Sequence, residues 1–167
     1  MVHGPKEIVK FRRERELKTD YKKRLALLRS RSVRLVVRVS NKNVICQLIA
    51  HADEGDKVFA SGNSKELQKM GWSGARGNTP AAYLTGYLCG KKGKKSGVQK
   101  AILDIGFQSI VKGSSVFAAL KGAVDAGVEI PYDISVLPSQ ERLDGAHIND
   151  KVKSQVAEMK KKIDSMK

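Results

Sequence analysis

Val33-Arg34-Leu35-Val36-Val37-Arg38-Val39-Ser40-Asn41-Lys42-Asn43-Val44-Ile45-Cys46-Gln47-Leu48-Ile49-Ala50 is the stretch on which the fold turns. Val33, Leu35, Val37 and Val39 alternate with Arg34, Val36 and Arg38, the period-two pattern of a half-buried strand with its arginines on one face. Ser40-Asn41-Lys42-Asn43 is turn chemistry, and Val44 to Ala50 reads as a second strand. Asp53-Glu54-Gly55-Asp56 makes another turn, and Lys57 to Ser61 a short third strand. Connections this short favour an antiparallel meander.

Downstream, Gly71-Trp72-Ser73-Gly74-Ala75-Arg76-Gly77-Asn78 reads as an irregular loop. Thr79 is expected to cap a helix with Pro80 at its first position. That helix runs through Tyr83, Leu84, Tyr87 and Leu88 to about Gly90, and Lys91-Lys92-Gly93-Lys94-Lys95 follows as a basic loop. Ala101 to Ile105 is a short apolar run, read as a buried strand. Ser114 or Ser115 opens a helix that ends at Gly127. Its small residues Ala118, Ala119, Gly122, Ala123 and Ala126 would let it lie close on a sheet. Glu129 to Asp150 is loop-rich, and a last helix from about Asp150 carries the final lysines.

Upstream, Pro5 can start a helix, and Lys6 to Arg29 reads as helical. Leu17, Tyr21, Leu25 and Leu28 fall on one apolar stripe. The predicted fold class is therefore α/β. It has a mixed sheet, a three-stranded antiparallel meander plus a parallel strand, flanked by helices. A basic N-terminal helical arm precedes it and a C-terminal helix follows. Residues 1–31 form the arm, 32–130 the globular domain, 131–150 an irregular segment and 151–167 a lysine-rich tail helix.

Charge is unevenly placed along the 167 residues, whose net charge is +15. Residues 1–42 hold six Lys and eight Arg against four acids, a net +10. Residues 43–150 hold twelve basic residues and eleven acids, a net +1. Residues 151–167 hold six Lys and two acids, a net +4. A nearly neutral body with a basic arm and tail has the electrostatic footprint of a polyanion binder. The arm is rich in arginine, whose planar fork suits phosphates and base edges. Hydrophobic residues make up 41% of the chain, which excludes a disordered polycation. The apolar runs are far shorter than a membrane span. Met1 to Leu17 is too polar for a signal-peptide core, so a cytoplasmic protein is expected. Cys46 and Cys89 form no metal or redox motif and read as small buried thiols.

An ordered set of short stretches resembles a known family. They are Thr19-Asp20-Tyr21, Arg34 to Lys42, Gly71-Trp72, Ala82-Tyr83-Leu84-Thr85-Gly86, Leu103-Asp104-Ile105-Gly106, Gly113 to Ala118, Gly122 to Gly127 and Gly145-Ala146-His147-Ile148. Each alone is weak; their order is specific, and together they span roughly residues 12–148. The chain resembles the large-subunit ribosomal protein eighteen family in its archaeal form, called protein five in eukaryotes. The tail, 151–167, matches no family motif. The resemblance implies a ribonuclease-H-like topology and binding of 5S ribosomal RNA in the central protuberance. It also implies contacts with large-subunit ribosomal RNA and neighbouring ribosomal proteins. No membrane, cofactor, metal or small-molecule substrate is expected.

The RNA-binding residues expected on the arm are Lys10, Arg12, Arg13, Arg15, Lys18, Tyr21, Lys22, Arg24 and Arg31. Arg34 and Arg38 on the first strand face, and Asn41, Lys42 and Asn43 in the following turn, would continue that surface. Arg76 and Asn78 are candidates in the Gly-rich loop. Tyr21 reads equally as a core-facing member of the stripe or as a stacking platform. Trp72 reads as packing, with presentation to RNA as the alternative. Lys91 to Lys95 read equally as solvated charge or as phosphate contacts. Two-metal nuclease chemistry needs converging carboxylates. The first strand has none, Asp104 stands alone, and no nucleophile has a partner by spacing, so no enzyme is expected. A sequence-blind packaging protein would have no use for the folded, nearly neutral body.

Overall fold

The computed structural model describes residues 9–166. The start of the predicted arm helix, Pro5 to Ile8, lies outside them. Four strands form one sheet: β1 (Arg34–Val39), β2 (Val44–Ala52), β3 (Gly55–Asn63) and β4 (Ile102–Asp104), in the order β3-β2-β1-β4. The first three make the expected antiparallel meander. β4 runs parallel to β1, with Arg34 opposite Ile102 and Val36 opposite Asp104. The α/β class and mixed sheet are thus as the sequence predicted.

Period-two alternation puts Leu35 and Val37 on the inner face, with Val44, Cys46 and Leu48 from β2, all fully buried. Two helices cover this face: α4 (Thr79–Lys95) lies on β2 and β3, and α5 (Ser115–Asp125) lies on β1. The helices touch each other at backbone distance. A Cβ on Gly86 would collide with the Ala119 carbonyl oxygen, and one on Gly122 with that of Tyr83. The small residues therefore bring helix to helix more than helix to sheet.

Asn78, not Thr79, is the N-cap of α4; its side chain accepts from Ala81 N at 3.0 Å. Both residue types cap well, and Pro80 tolerates the first turn either way. The helix also continues past Gly90 to Lys95, so the expected basic loop is its last turn. Cations there suit the helix dipole, and Lys91 and Lys92 pair with Asp164 and Glu66.

β3 reaches further than Lys57 to Ser61, and Asn63 then caps an unforeseen short helix, α3 (Ser64–Lys69), in a capping box with Glu66. Residues 131–150 contain a 3₁₀ turn at Ile134–Val136 and α6 (Gln140–Asp144). The final helix, α7 (Asp150–Ser165), buries Val152, Val156, Met159 and Ile163 at steps of four, three and four against α4 and α6. Its Lys160 ammonium sits over the rings of Tyr83 and Tyr87, at 5.1 and 5.6 Å.

The arm is not one continuous helix. Its described part has α1 (Arg12–Arg15) and α2 (Tyr21–Arg29). Between them Leu17 takes a left-handed φ of 51°, and the amides of Lys18 and Thr19 both donate to the Arg13 carbonyl, closing α1. Asp20 restarts the helix by accepting from Lys23 N at 3.0 Å. This break dissolves the apolar stripe: Leu17 is 70% and Leu25 54% exposed. Tyr21 joins no core. It meets Phe11 edge-on, with ring centres 5.2 Å apart.

Candidate nucleic-acid interface

The outer face of the sheet carries Arg34, Val36 and Arg38 from β1, with Asp104 beside them on β4. Arg34 donates to Asp104 Oδ2 at 2.9 Å and to Asp56 Oδ2 at 3.0 Å. Asp56, in the β2–β3 hairpin, also accepts from Arg24 of α2 at 2.9 Å. One carboxylate therefore ties the arm to the sheet. Burial alone would raise the Asp56 carboxyl, but the hydrogen bonds and charges of Arg24 and Arg34 outweigh it and hold it below its usual range.

Arg34 is 1% exposed, so it does not offer its guanidinium to a ligand as a free sheet face would. Strand periodicity assigned its face correctly; it could not say that Asp56, Asp104 and the arm cover that face. Arg38, four residues along on the same face, keeps 44% of its side chain exposed. It donates to the carbonyls of Val37 and Asp104, each at 2.8 Å, and to Asp104 Oδ1 at 3.1 Å.

Between the arm and this face lies a cleft of about 380 Å³. Arg13, Lys18, Lys23, Arg24 and Arg38 line it, with Ala26, Leu27, Leu103 and Ile105 supplying apolar wall. Four of those cations were expected from the sequence. Lys23 was not; its place one residue before Arg24 on α2 was the available signal. The other arm residues, Lys10, Arg12, Arg15, Tyr21, Lys22 and Arg31, are exposed outside the cleft. Lys10 and Arg12 pair with Glu14 and Glu16 at 3.6 and 3.7 Å.

A second hollow, of about 370 Å³, joins the β1–β2 turn to the Gly-rich loop. Asn41, Lys42 and Arg76 line it, and Arg76 donates to Gln68 at 2.9 Å. Asn43 is half-buried, and Asn78 spends its side chain on the α4 cap. Trp72 is 2% exposed and donates to the Ala75 carbonyl at 3.2 Å, so it packs. Cys46 and Cys89 are both buried free thiols.

Asp104 is enclosed by Arg34, Arg38 and the Gly106 amide, which leaves it a structural anion. Among the described residues, no group of three His, Cys, Asp or Glu side chains could hold a metal. Nor is any helix there long and apolar enough to cross a membrane.

A cationic cleft between a basic arm and the outer sheet face of an α/β body, with Asp56 and Asp104 held in ion pairs by arginines, is the architecture of a structural RNA-binding protein. The chain belongs to the family of ribosomal large subunit proteins 60S L5 and 50S L18, whose model matches residues 6–98 and 91–133. It is 51% identical over 154 residues to large ribosomal subunit protein uL18 of Methanothermobacter thermautotrophicus, covering 92% of this chain and 80% of that one. The uL18 of Methanoregula boonei is 54% identical over 89% of this chain and 85% of its own. That of Korarchaeum cryptofilum is 55% identical over 89% and 76%. Family membership places the chain in the large subunit of the cytoplasmic ribosome as a structural component and not an enzyme. Its partners are ribosomal RNA and ribosomal proteins.

Proposed function

We propose that this chain binds 5S ribosomal RNA and anchors it in the central protuberance through contacts to 5S and large-subunit ribosomal RNA. The observation that carries the reading is the cleft in which Arg13, Lys18, Lys23 and Arg24 of the arm face Arg38 of the sheet. An arm alone would bind any RNA, because phosphate contacts carry little sequence information. An arm tied to a sheet presents cations at set spacing and so selects an RNA shape. The labour divides accordingly: residues 1–31 supply affinity, 32–130 supply the frame, and 131–150 with 151–167 complete the body.

The exposed arm residues Lys10, Arg12, Arg15, Tyr21, Lys22 and Arg31 extend the surface to phosphates. Asn41, Lys42 and Arg76 form a second contact beside it. Arg34 acts through Asp104 and Asp56, by holding Arg38 and Arg24 in place. Competition binding tests the reading. 5S RNA should outcompete unrelated structured RNA and duplex DNA, with affinity falling steeply as salt rises. Equal affinity for all three would overturn it.

A further inference from the structure

We propose that the cleft between α2 and the outer sheet face receives a single unpaired nucleotide extruded from the bound RNA. The inference rests on the RNA-binding reading above and names what enters this site. A cleft of about 380 Å³ is too small for a duplex and falls in the range of small-ligand sites. Its composition is that of a nucleotide site, with apolar wall from Ala26, Leu27, Leu103 and Ile105 under a cationic rim. Its two acids are already engaged: Asp104 by the arginines and the Gly106 amide, and Asp20 by the Lys23 amide. Lys18, Lys23, Arg24 and Arg38 are each ion-paired, with Glu16, Asp20, Asp56 and Asp104, yet five cations against two acids in the lining leave the rim net positive toward a phosphate.

Arg38 supplies the platform. Its three hydrogen bonds to Val37 and Asp104 lock the guanidinium plane. Gly106, at a φ of 63°, lies against that plane: a Cβ there would stand 3.1–3.4 Å from Cζ, Nη2 and Nε. A locked and partly exposed guanidinium is a stacking surface for a splayed-out base. No aromatic ring lines the cleft, and of its three guanidinium planes, those of Arg13, Arg24 and Arg38, Arg38 is held by the most hydrogen bonds.

The test places 2-aminopurine singly at each unpaired position of 5S RNA and measures acrylamide quenching in complex with the full chain. One position should be shielded from quencher. Ala26→Trp, at an exposed helix position, fills the cleft and should abolish that shielding and weaken 5S binding about tenfold. Arg38→Lys keeps the charge but loses the plane and should also abolish the shielding. Thermal melts report folding, and if Arg38→Lys is unfolded, Ala26→Trp decides. Shielding at no position, or shielding unchanged in Ala26→Trp, overturns the inference while leaving 5S binding standing. Absence of any 5S preference in the parent overturns both. Micromolar binding of a free nucleoside monophosphate that leaves 5S affinity untouched would assign the cleft to a free nucleotide and also overturn it.

Discussion

Arg34 and Asp104, seventy residues apart in sequence, form a 2.9 Å ion pair in which the side chains are only 2% and 9% exposed. The pair spans the parallel junction of β1 and β4 and underlies the whole outer face. Removing one partner of a buried pair leaves an uncompensated charge. Arg34→Ala should therefore destabilise the fold by about 3–5 kcal/mol. Arg38→Ala, at a half-exposed position, should cost less stability and more RNA preference. Urea denaturation and competition binding separate the two effects. Equal stability losses would show that the Arg34 pair is not special.

The Asp56 bridge sets how the arm answers to acid. The Asp56 carboxyl titrates below its ordinary range in the folded protein. Its contribution is thus complete above about pH 4, the unfolded value, and is lost as pH falls through the lower folded value. The α2 helix should stay docked from neutral pH to below about pH 4. Asp56→Asn should release it at neutral pH. Amide spectra of Lys23 to Leu28 report docking. Release of the parent well above pH 4, or no change in Asp56→Asn, would contradict this.

The tail helix should behave as part of the core. Met159 is 2% exposed between α7 and the body. Met159→Ala should cost about 2–5 kcal/mol. Replacing the exposed Lys161 with Ala should leave stability within about 0.5 kcal/mol. A destabilisation by Met159→Ala no larger than that of Lys161→Ala would mean that α7 does not support the fold.

The α4–α5 contact has no room for a side chain. Gly86→Val places carbon where the Ala119 carbonyl oxygen already stands. The cost should exceed about 3 kcal/mol, the upper end of ordinary overpacking, read as a lowered denaturation midpoint. A native midpoint would show that the helices can separate without loss.

The thiols should be silent while the protein is folded. Burial pushes Cys46 well above its usual value, with nearby Cys89 adding to the shift. Burial likewise pushes Cys89 up to about 12, so neither presents thiolate near neutral pH. Iodoacetamide labelling should require unfolding. Rapid labelling of either thiol in native buffer would contradict their enclosure.

The sequence by itself determined the sheet, because alternation in Val33 to Val39 and the turn chemistry after it are local signals. The meander, the parallel β4 and the helices after Asn78 and Ser114 were all legible that way. So were the buried thiols and the basic character of the arm. Family resemblance was readable too, since it rests on ordered short motifs. Only the tertiary structure decided what each polar side chain meets. Arg34 and Arg38 have the same residue type, strand and face, yet one is buried and the other lines a cleft. The difference comes from Asp56 and Asp104, which reach them from distant parts of the chain. The packing of α7 against α4 and α6 was likewise set by three-dimensional context. A periodic pattern states which residues share a face; what covers that face is a matter of residues far away in sequence.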